Sequence, residues 1–166
     1  MTIDKKNMLQ HLDLGLYLMR KRQQQLEEVE IADWTTTDVF FMNHISTCFA
    51  ENKRKKQQVG WKIRKSLLNV VNGKVPPCGM DWQNVYKVYT PFMLTKYKHW
   101  VAVMIDLVLC EIKVYDSKVS LIPDDIVKEE LARYQLRFQI FSTPSTFMKK
   151  VFMQTIAPEI GGVRGQ

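Results

Sequence analysis

The stretch that decides the fold is HWVAVMIDLVLCEIKVYDS, residues 99–117. It holds two runs rich in β-branched and aliphatic residues, and these runs predict two adjacent strands. If the chain reverses between Leu107 and Val108, Val103 faces Ile112 across an antiparallel hairpin. The alternation then leaves one unbroken apolar face, which is typical of a strand pair with one side buried.

The same register places a histidine opposite an aspartate at the open end of the hairpin. His99 faces Asp116, and directly opposed side chains have Cβ atoms about 4.5–5.5 Å apart. An imidazole N–H reaches a carboxylate across such a gap, and the carboxylate then fixes the tautomer and stabilises the charged ring. Two interpretations stay open, a catalytic couple and an incidental polar pair. The turn at 106–109 lacks Gly and Asn, which weakens the assigned register.

The segments around the hairpin predict helices before the strands and after them. A helix from Leu9 to Arg22 is predicted by apolar residues at steps of three and four, which place Leu9, Leu12, Leu16 and Met19 on one buried face. The polar stretch 23–32 either extends this helix or follows it. Gly73 is expected to end the third helix, and Pro91 to mark either a sheet edge or the end of the first strand. Helices, then strands, then helices indicate an α+β fold. The other elements are predicted as helices at 38–50, 61–72, 124–138 and 144–156, and as strands at 85–90, 97–106, 110–115 and 137–141.

Composition places the chain among ordinary globular domains. It has 166 residues, of which 46% are hydrophobic and 25% charged, as expected for one domain. No run approaches the roughly 18 apolar residues of a membrane span, and the first residues lack the apolar core of a secretory signal. Cys48, Cys78 and Cys110 are too widely spaced for a disulfide framework or a zinc site, which favours a reducing intracellular setting, nucleus or cytoplasm.

The positive charge is concentrated in one segment. From Glu51 to Lys74 there are eight basic residues and one acid, a net charge of +7 that equals the charge of the whole chain. Within this window, residues 51–60 are predicted to be a basic linker. The window is either a solvated surface or a weak nucleic-acid contact through Lys53–Lys74, because basic patches bind polyanions by counterion release.

The segment 99–117 resembles the ubiquitin-like-specific protease family, the SUMO-type cysteine peptidases. The matching motifs are His-Trp at 99–100, Ile-Asp at 105–106 and Tyr-Asp-Ser at 115–117. HLDLGLYLMRKR, residues 11–22, resembles the helix that opens the family domain, and DWQNVYKVYTPFM, residues 81–93, resembles the strand that leads into the histidine. The likeness spans roughly residues 9–158 and is greatest to divergent copies in plant genomes, many of them carried by transposons.

The resemblance implies a papain-like α+β domain over residues 1–166, with N-terminal helices packed on a small mixed sheet. It implies that His99 is the general base, that Asp116 orients it, and that Trp100 lines the narrow channel for a Gly-Gly tail. The activity implied is that of an isopeptidase that cleaves after the Gly-Gly of a ubiquitin-like protein or its conjugates. The resemblance implies no metal and no cofactor.

The sequence departs from the family at the nucleophile, because no cysteine follows Asp116. By the family pattern, Gln166 would hold the oxyanion position and the nucleophilic Cys would come a few residues later. We therefore expect a domain that is incomplete at its C-terminus and has no turnover as this chain. The alternatives are a replacement thiol at Cys78, a non-catalytic module that holds a ubiquitin-like partner through Trp100 and the opening helix, and a transposon-derived protein that contacts nucleic acid.

Overall fold

The computed structural model describes residues 5–26, 33–54, 63–109, 111–118 and 122–131. Four strands form a mixed sheet in the order β1-β2-β3-β4, in which β1 is parallel to β2 and the other neighbours are antiparallel. The predicted α+β class and the small mixed sheet are therefore confirmed. In chain order the elements are α1 (Lys5–Leu26), β1 (Trp34–Thr36), α2 (Phe41–Arg54), α3 (Lys65–Val71), β2 (Lys87–Leu94), β3 (His99–Asp106), β4 (Glu111–Tyr115) and α4, whose described residues are 124–131.

The core joins one face of the sheet to α2, α3 and α4. Every second residue of the long strands is buried on this face, and burial of each large apolar side chain stabilises the fold by about 1.5–3 kcal/mol. The strands contribute Val88, Phe92, Leu94, Val101, Val103, Ile105 and Ile112 to this core. The helices contribute Phe41, Ile45 and Cys48 from α2, Leu67 and Val70 from α3, and Val127 and Leu131 from α4.

Helix α1 shields the free edge of β1 through a polar side chain. The carbonyl of Asp33 accepts hydrogen bonds from the amides of Tyr86 and Lys87, at the start of β2. Successive carbonyls of a strand point to opposite sides, so the carbonyl of Trp34 points away from β2. The side-chain amide of Gln23 donates to that carbonyl. Unpaired strand edges invite pairing with other chains, and α1 occupies this one.

Arg20 makes the second attachment of α1 and is only 2% exposed. Its guanidinium donates to the Thr36 hydroxyl and to the carbonyl of Thr37, 3.4 Å away. The Nε atom donates to the carbonyl of Pro77 at 2.9 Å. Burial lowers the pKa of Arg20 from its ordinary value. One cation therefore ties α1 to the end of β1 and to the loop that contains Pro77.

Helix α1 extends into the polar stretch, which is one of the two predicted alternatives, and α2 is longer than the sequence predicts. Helix α1 continues into the polar stretch as far as Leu26, and α2 continues to Arg54. The linker predicted at 51–60 therefore begins no earlier than residue 55, because Lys, Arg and Glu are good helix formers and a charge run does not by itself end a helix. Glu51, inside α2, pairs with Arg64 just before α3.

Strand β2 runs through Pro91, so of the two predicted alternatives the strand end is wrong and the edge position fits. Pro91 pairs with Ala102 of β3. The carbonyl of Tyr89 accepts from Thr37 on the β1 side, and residues two apart in a strand point to the same side. The nitrogen of Pro91 therefore faces the β1 side, where the pairing with β1 has already ended at Tyr89. No ladder hydrogen bond is lost.

The β3–β4 hairpin is shifted by two residues from the predicted register. Val103 pairs with Val114, and Ile105 pairs with Ile112. Because side chains alternate between faces with a period of two, a two-residue shift leaves every side chain on its predicted face. The apolar face is therefore as expected, and the partners across it are different.

The reason for the shift lies in the turn. Asp106 pairs with Glu111, so the connection is longer than a two-residue turn. The Asp106 carboxylate accepts from the amides of Val108 at 3.0 Å and Leu109 at 2.8 Å. An aspartate that bonds the backbone two and three residues on closes a turn without Gly or Asn.

We predict opposite effects for alanine at two glycines. Gly73 ends α3 with φ +64°, and an added Cβ would lie 2.5 Å from the amide nitrogen of Asp81, so Gly73→Ala should destabilise the fold by about 1–3 kcal/mol. Gly15 lies within α1 and a Cβ there meets nothing within 4 Å, so Gly15→Ala should stabilise by about 0.5–1 kcal/mol. Urea denaturation measures both. A Gly73→Ala protein as stable as the wild type would contradict the assigned backbone.

We also predict that Asp106 is required for the hairpin register. Asp106→Ala removes the acceptor of two backbone amides and should destabilise the fold by about 1–3 kcal/mol. Asp106→Asn keeps one acceptor oxygen and should lose clearly less. Hydrogen exchange at the amides of Val108 and Leu109 should accelerate only in the alanine variant. Equal exchange in both variants would show that the side chain does not hold the turn.

Candidate active site

His99 is the first residue of β3 and follows a tight turn. It pairs with Leu94, the last residue of β2. The turn is closed by hydrogen bonds from the amide of Tyr97 to the carbonyl of Leu94 at 3.1 Å and from the amide of Lys98 to that of Thr95 at 3.3 Å. The imidazole is on the core face, at the end of the buried row, and 12% of its side chain is exposed.

Asp116 follows the last residue of β4, on the same face of the sheet. Its Oδ1 atom accepts a hydrogen bond from the backbone amide of Lys118 at 2.7 Å. Burial alone would raise the pKa of Asp116, but the bonds from Lys118 and His99 outweigh it and hold the pKa below its ordinary value. The side chain is therefore a carboxylate at neutral pH.

The structure brings His99 and Asp116 together. The Nε2 atom of His99 lies 2.7 Å from Oδ1 of Asp116, so the predicted contact is confirmed. The predicted geometry is wrong, however. Ala102 pairs with Tyr115, so the residue directly opposite Asp116 is Val101. His99 lies two residues before Val101 in the same strand. The two side chains meet diagonally, a separation that long side chains still span.

The protonation of the imidazole follows from its partner. A carboxylate accepts hydrogen bonds and has none to donate, so Nε2 of His99 is the donor to Asp116. In the neutral ring the other nitrogen, Nδ1, then carries the lone pair. The arrangement can take up a proton at Nδ1 and stabilise the resulting cation through Asp116.

Trp100 is not brought together with this couple. It follows His99 in β3, and successive strand residues point to opposite faces. It pairs with Met93 of β2. Its indole nitrogen is buried and has no hydrogen-bond partner among the described residues.

The three cysteines have different positions. Cys48 is buried in the core on α2. Cys78 lies in the loop that Arg20 holds at the end of β1, and no described hydrogen bond joins this loop to His99 or Asp116. Cys110 lies outside the described residues. Its neighbour Glu111 pairs at the far end of the eight-residue strand β3, about 23 Å from His99.

The described part of the chain contains neither a membrane-spanning helix nor a metal-binding cluster. None of its helices is long and apolar enough to cross a membrane. No three His, Cys, Asp or Glu side chains among these residues are grouped to hold a metal ion.

Sequence reasoning missed two groups that position the couple. The first is the Lys118 amide, which shares Oδ1 of Asp116 with His99. The signal was present, because aspartate after a strand often accepts from the amide two residues on. The second is the Asp106 carboxylate, which sets the register of β3 against β4. Asp106 matched the family motif, but its role in the turn was not recognised.

Helices packed on a mixed sheet, with a His–Asp couple at the end of its buried face, are the features of an α+β, papain-like cysteine protease domain. The chain matches the model of the Ulp1 protease family, C-terminal catalytic domain, over residues 9–141. The match covers well over half of the 166 residues, and the chain belongs to the Ulp1 protease family, whose members are cysteine proteases of the ubiquitin-like-specific type. No curated protein and no solved structure matches it.

We predict that the stability contributed by Asp116 depends on pH. Its pKa is lowered in the folded protein, so its contribution is fully present above the unfolded pKa of about 3.9 and is lost as the pH falls through the folded value. Asp116→Asn should therefore be less stable than the wild type at pH 7, and the difference should shrink below about pH 4. Urea denaturation across this range measures it. A difference that does not change with pH would contradict the assignment.

Proposed function

We propose that this chain carries the acid–base part of a protease centre that cleaves after the C-terminal Gly-Gly of a SUMO-type ubiquitin-like protein or its conjugates. His99 is the general base and Asp116 is the residue that orients it. The observation that carries the proposal is the 2.7 Å contact between His99 Nε2 and Asp116 Oδ1 at the open end of the buried face. Membership in the Ulp1 protease family supports the choice of a ubiquitin-like substrate.

The proposed reaction begins with a thiol beside Nδ1 of His99. The thiol proton moves to Nδ1, the sulfur attacks the carbonyl carbon after Gly-Gly, and the Asp116 carboxylate stabilises the imidazolium. His99 then returns the proton to the leaving amine, and a thioester remains. Water, deprotonated by His99, hydrolyses the thioester and restores the thiol.

We also propose that the 166-residue chain taken alone has no protease activity. The support is that no cysteine follows Asp116 in the sequence, that Cys48 is buried in the core, and that the Cys78 loop is bonded to Arg20 rather than to the couple. The second candidate function is therefore binding of the ubiquitin-like protein without cleavage. Membership in the Ulp1 protease family supports it, because recognition of the ubiquitin-like protein does not itself require the nucleophile.

Three further proposals are supported by the sequence alone. A weak nucleic-acid contact through Lys53–Lys74 is supported by the net charge of +7 between Glu51 and Lys74, although Arg64 is already paired with Glu51. An intracellular setting, nucleus or cytoplasm, is supported by the cysteine pattern. The likeness to transposon-borne copies is likewise an inference from the sequence motifs.

We predict that the purified chain 1–166 forms no covalent adduct with a SUMO-type protein that carries a C-terminal electrophile, because neither described cysteine, Cys48 or Cys78, is bonded to His99. Intact mass spectrometry measures it. An adduct that disappears in Cys78→Ala would overturn this part and make the loop thiol the nucleophile. In a longer chain that supplies a thiol, His99→Ala should lower kcat/KM by about 10²–10⁴-fold.

Both candidate functions require that the chain recognises the Gly-Gly tail of a ubiquitin-like protein, and a binding measurement tests this recognition. The intact SUMO-type protein should bind the chain more tightly than the same protein without its Gly-Gly. Trp100→Ala should remove that difference, and Leu68→Ala, an exposed position on α3, should leave it unchanged. Equal binding of the two forms would contradict recognition of the Gly-Gly tail.

A further inference from the structure

Helix α1 is anchored by buried polar side chains and exposes several large apolar ones, although its Leu9, Leu12 and Leu16 are half-buried. Its buried anchors are Arg20 and Gln23, which are 2% and 6% exposed. A surface helix normally buries an apolar stripe and exposes its polar face. Here four large apolar side chains are exposed by between 42% and 54%, namely Leu14, Leu18, Met19 and Leu26. We call these four residues the outer stripe.

The buried polar anchors follow from what α1 covers. The edge of β1 presents backbone carbonyls and the Thr36 hydroxyl, and these groups need donors. Arg20 and Gln23 supply the donors, so these two polar side chains face inward. Met19 was predicted on the buried face and is instead 51% exposed. Large apolar side chains gathered on one exposed helix, rather than scattered singly, are typical of an interaction surface.

The charges beside the outer stripe indicate the chemistry of its partner. Lys21 and Arg22 are exposed, and Lys21 lies 5.9 Å from the centre of the Tyr17 ring. The described acid of α1 is Asp13, which is turned inward and accepts from the Val39 amide at 3.0 Å. The described side chains of α1 therefore offer exposed cations and no exposed carboxylate.

We propose that the outer stripe of α1 binds an amphipathic helix of another protein, one that carries carboxylates beside its own apolar stripe. From Leu14 to Leu26 the stripe is about 18 Å long, which matches a partner of roughly three helical turns. Side-by-side packing buries the leucines of both helices. Carboxylates of the partner then face Lys21 and Arg22.

Other occupants fit the charges less well. A second copy of α1 brings lysines and arginines but no exposed carboxylate to face them. The segment 144–156 of this chain contains Lys149 and Lys150 and no acid. An anionic membrane is normally recognised by about four to eight clustered basic residues, whereas the described stripe has two beside it.

The surface is separate from the candidate active site and goes beyond the proposed function. Helix α1 lies beside β1, while His99 and Asp116 belong to β3 and the end of β4, across β2 in the sheet. A helix bound to the outer stripe therefore leaves the couple open. The outer stripe therefore recruits the protease domain to another protein, and that protein does not compete with the substrate for the His99–Asp116 couple.

The test uses two synthetic helical peptides of about 14 residues with the same leucine stripe, one flanked by glutamates and the other by lysines. Fluorescence anisotropy with chain 1–166 should show the glutamate peptide binding at least tenfold more tightly, with affinity that falls as salt rises. Leu14→Gln/Leu18→Gln should weaken binding about tenfold or more. Lys21→Glu/Arg22→Glu should reverse the preference. The control is Val108→Gln/Leu109→Gln, which alters exposed apolar residues of the β3–β4 turn and should change nothing.

Several results would overturn the proposal. Equal affinity for both peptides, no binding of either, or equal loss in the control variant would each do so. Gel filtration and phosphatidylserine vesicles test the rival occupants. A dimer dissociated by Leu14→Gln/Leu18→Gln, or binding to the vesicles without binding to the peptide, would assign the stripe to a second copy or to a lipid surface. Circular dichroism of each variant shows whether it is folded, so a misfolded variant is replaced by Leu18→Gln alone.

Discussion

The carboxylate of Asp106 closes the β3–β4 turn and thereby sets the register on which the candidate site depends. It accepts from the amides of Val108 and Leu109, and this bonding fits a connection that joins Asp106 to Glu111. Once those two residues are paired, every other pair along the hairpin is determined. A histidine at the far end of β3 and an aspartate after β4 then meet, although the side chain that fixes their meeting lies about 23 Å away.

The sequence was sufficient for the faces of the two hairpin strands, β3 and β4, and for the contact between His99 and Asp116, but not for the register. Alternation of side chains has a period of two, so two registers that differ by two residues bury the same apolar positions. The alternation of apolar residues alone does not distinguish these two registers. The contact survived the error because side chains as long as histidine and aspartate reach both the opposed and the diagonal position. The turn decided the register, and its chemistry is a side-chain bond rather than a Gly or Asn signature.

Sequence periodicity gave the wrong orientation for Met19 and missed β1, and both errors have one cause. β1 is three residues long and lies in a threonine-rich segment that also suits helix N-caps. Without β1 there is no strand edge to cover, and a stripe of leucines is naturally assigned to the core. With β1 in place, its free carbonyls require donors, and Arg20 and Gln23 supply them. Tertiary hydrogen bonding therefore determined which side of α1 faces inward.

The Arg20 network also bears on the missing nucleophile. The guanidinium bonds the carbonyls of Thr37 and Pro77 together, so the loop with Cys78 stays at the end of β1. Thr37 in turn bonds Thr90 of β2, about 13 Å along that strand from Leu94, the partner of His99. Moving Cys78 to the couple would break the bonds of a buried cation, and a buried charge left unpaired is strongly destabilising. The interaction that anchors α1 thus holds this thiol away from His99, which is why the proposed chemistry calls for a thiol from another segment.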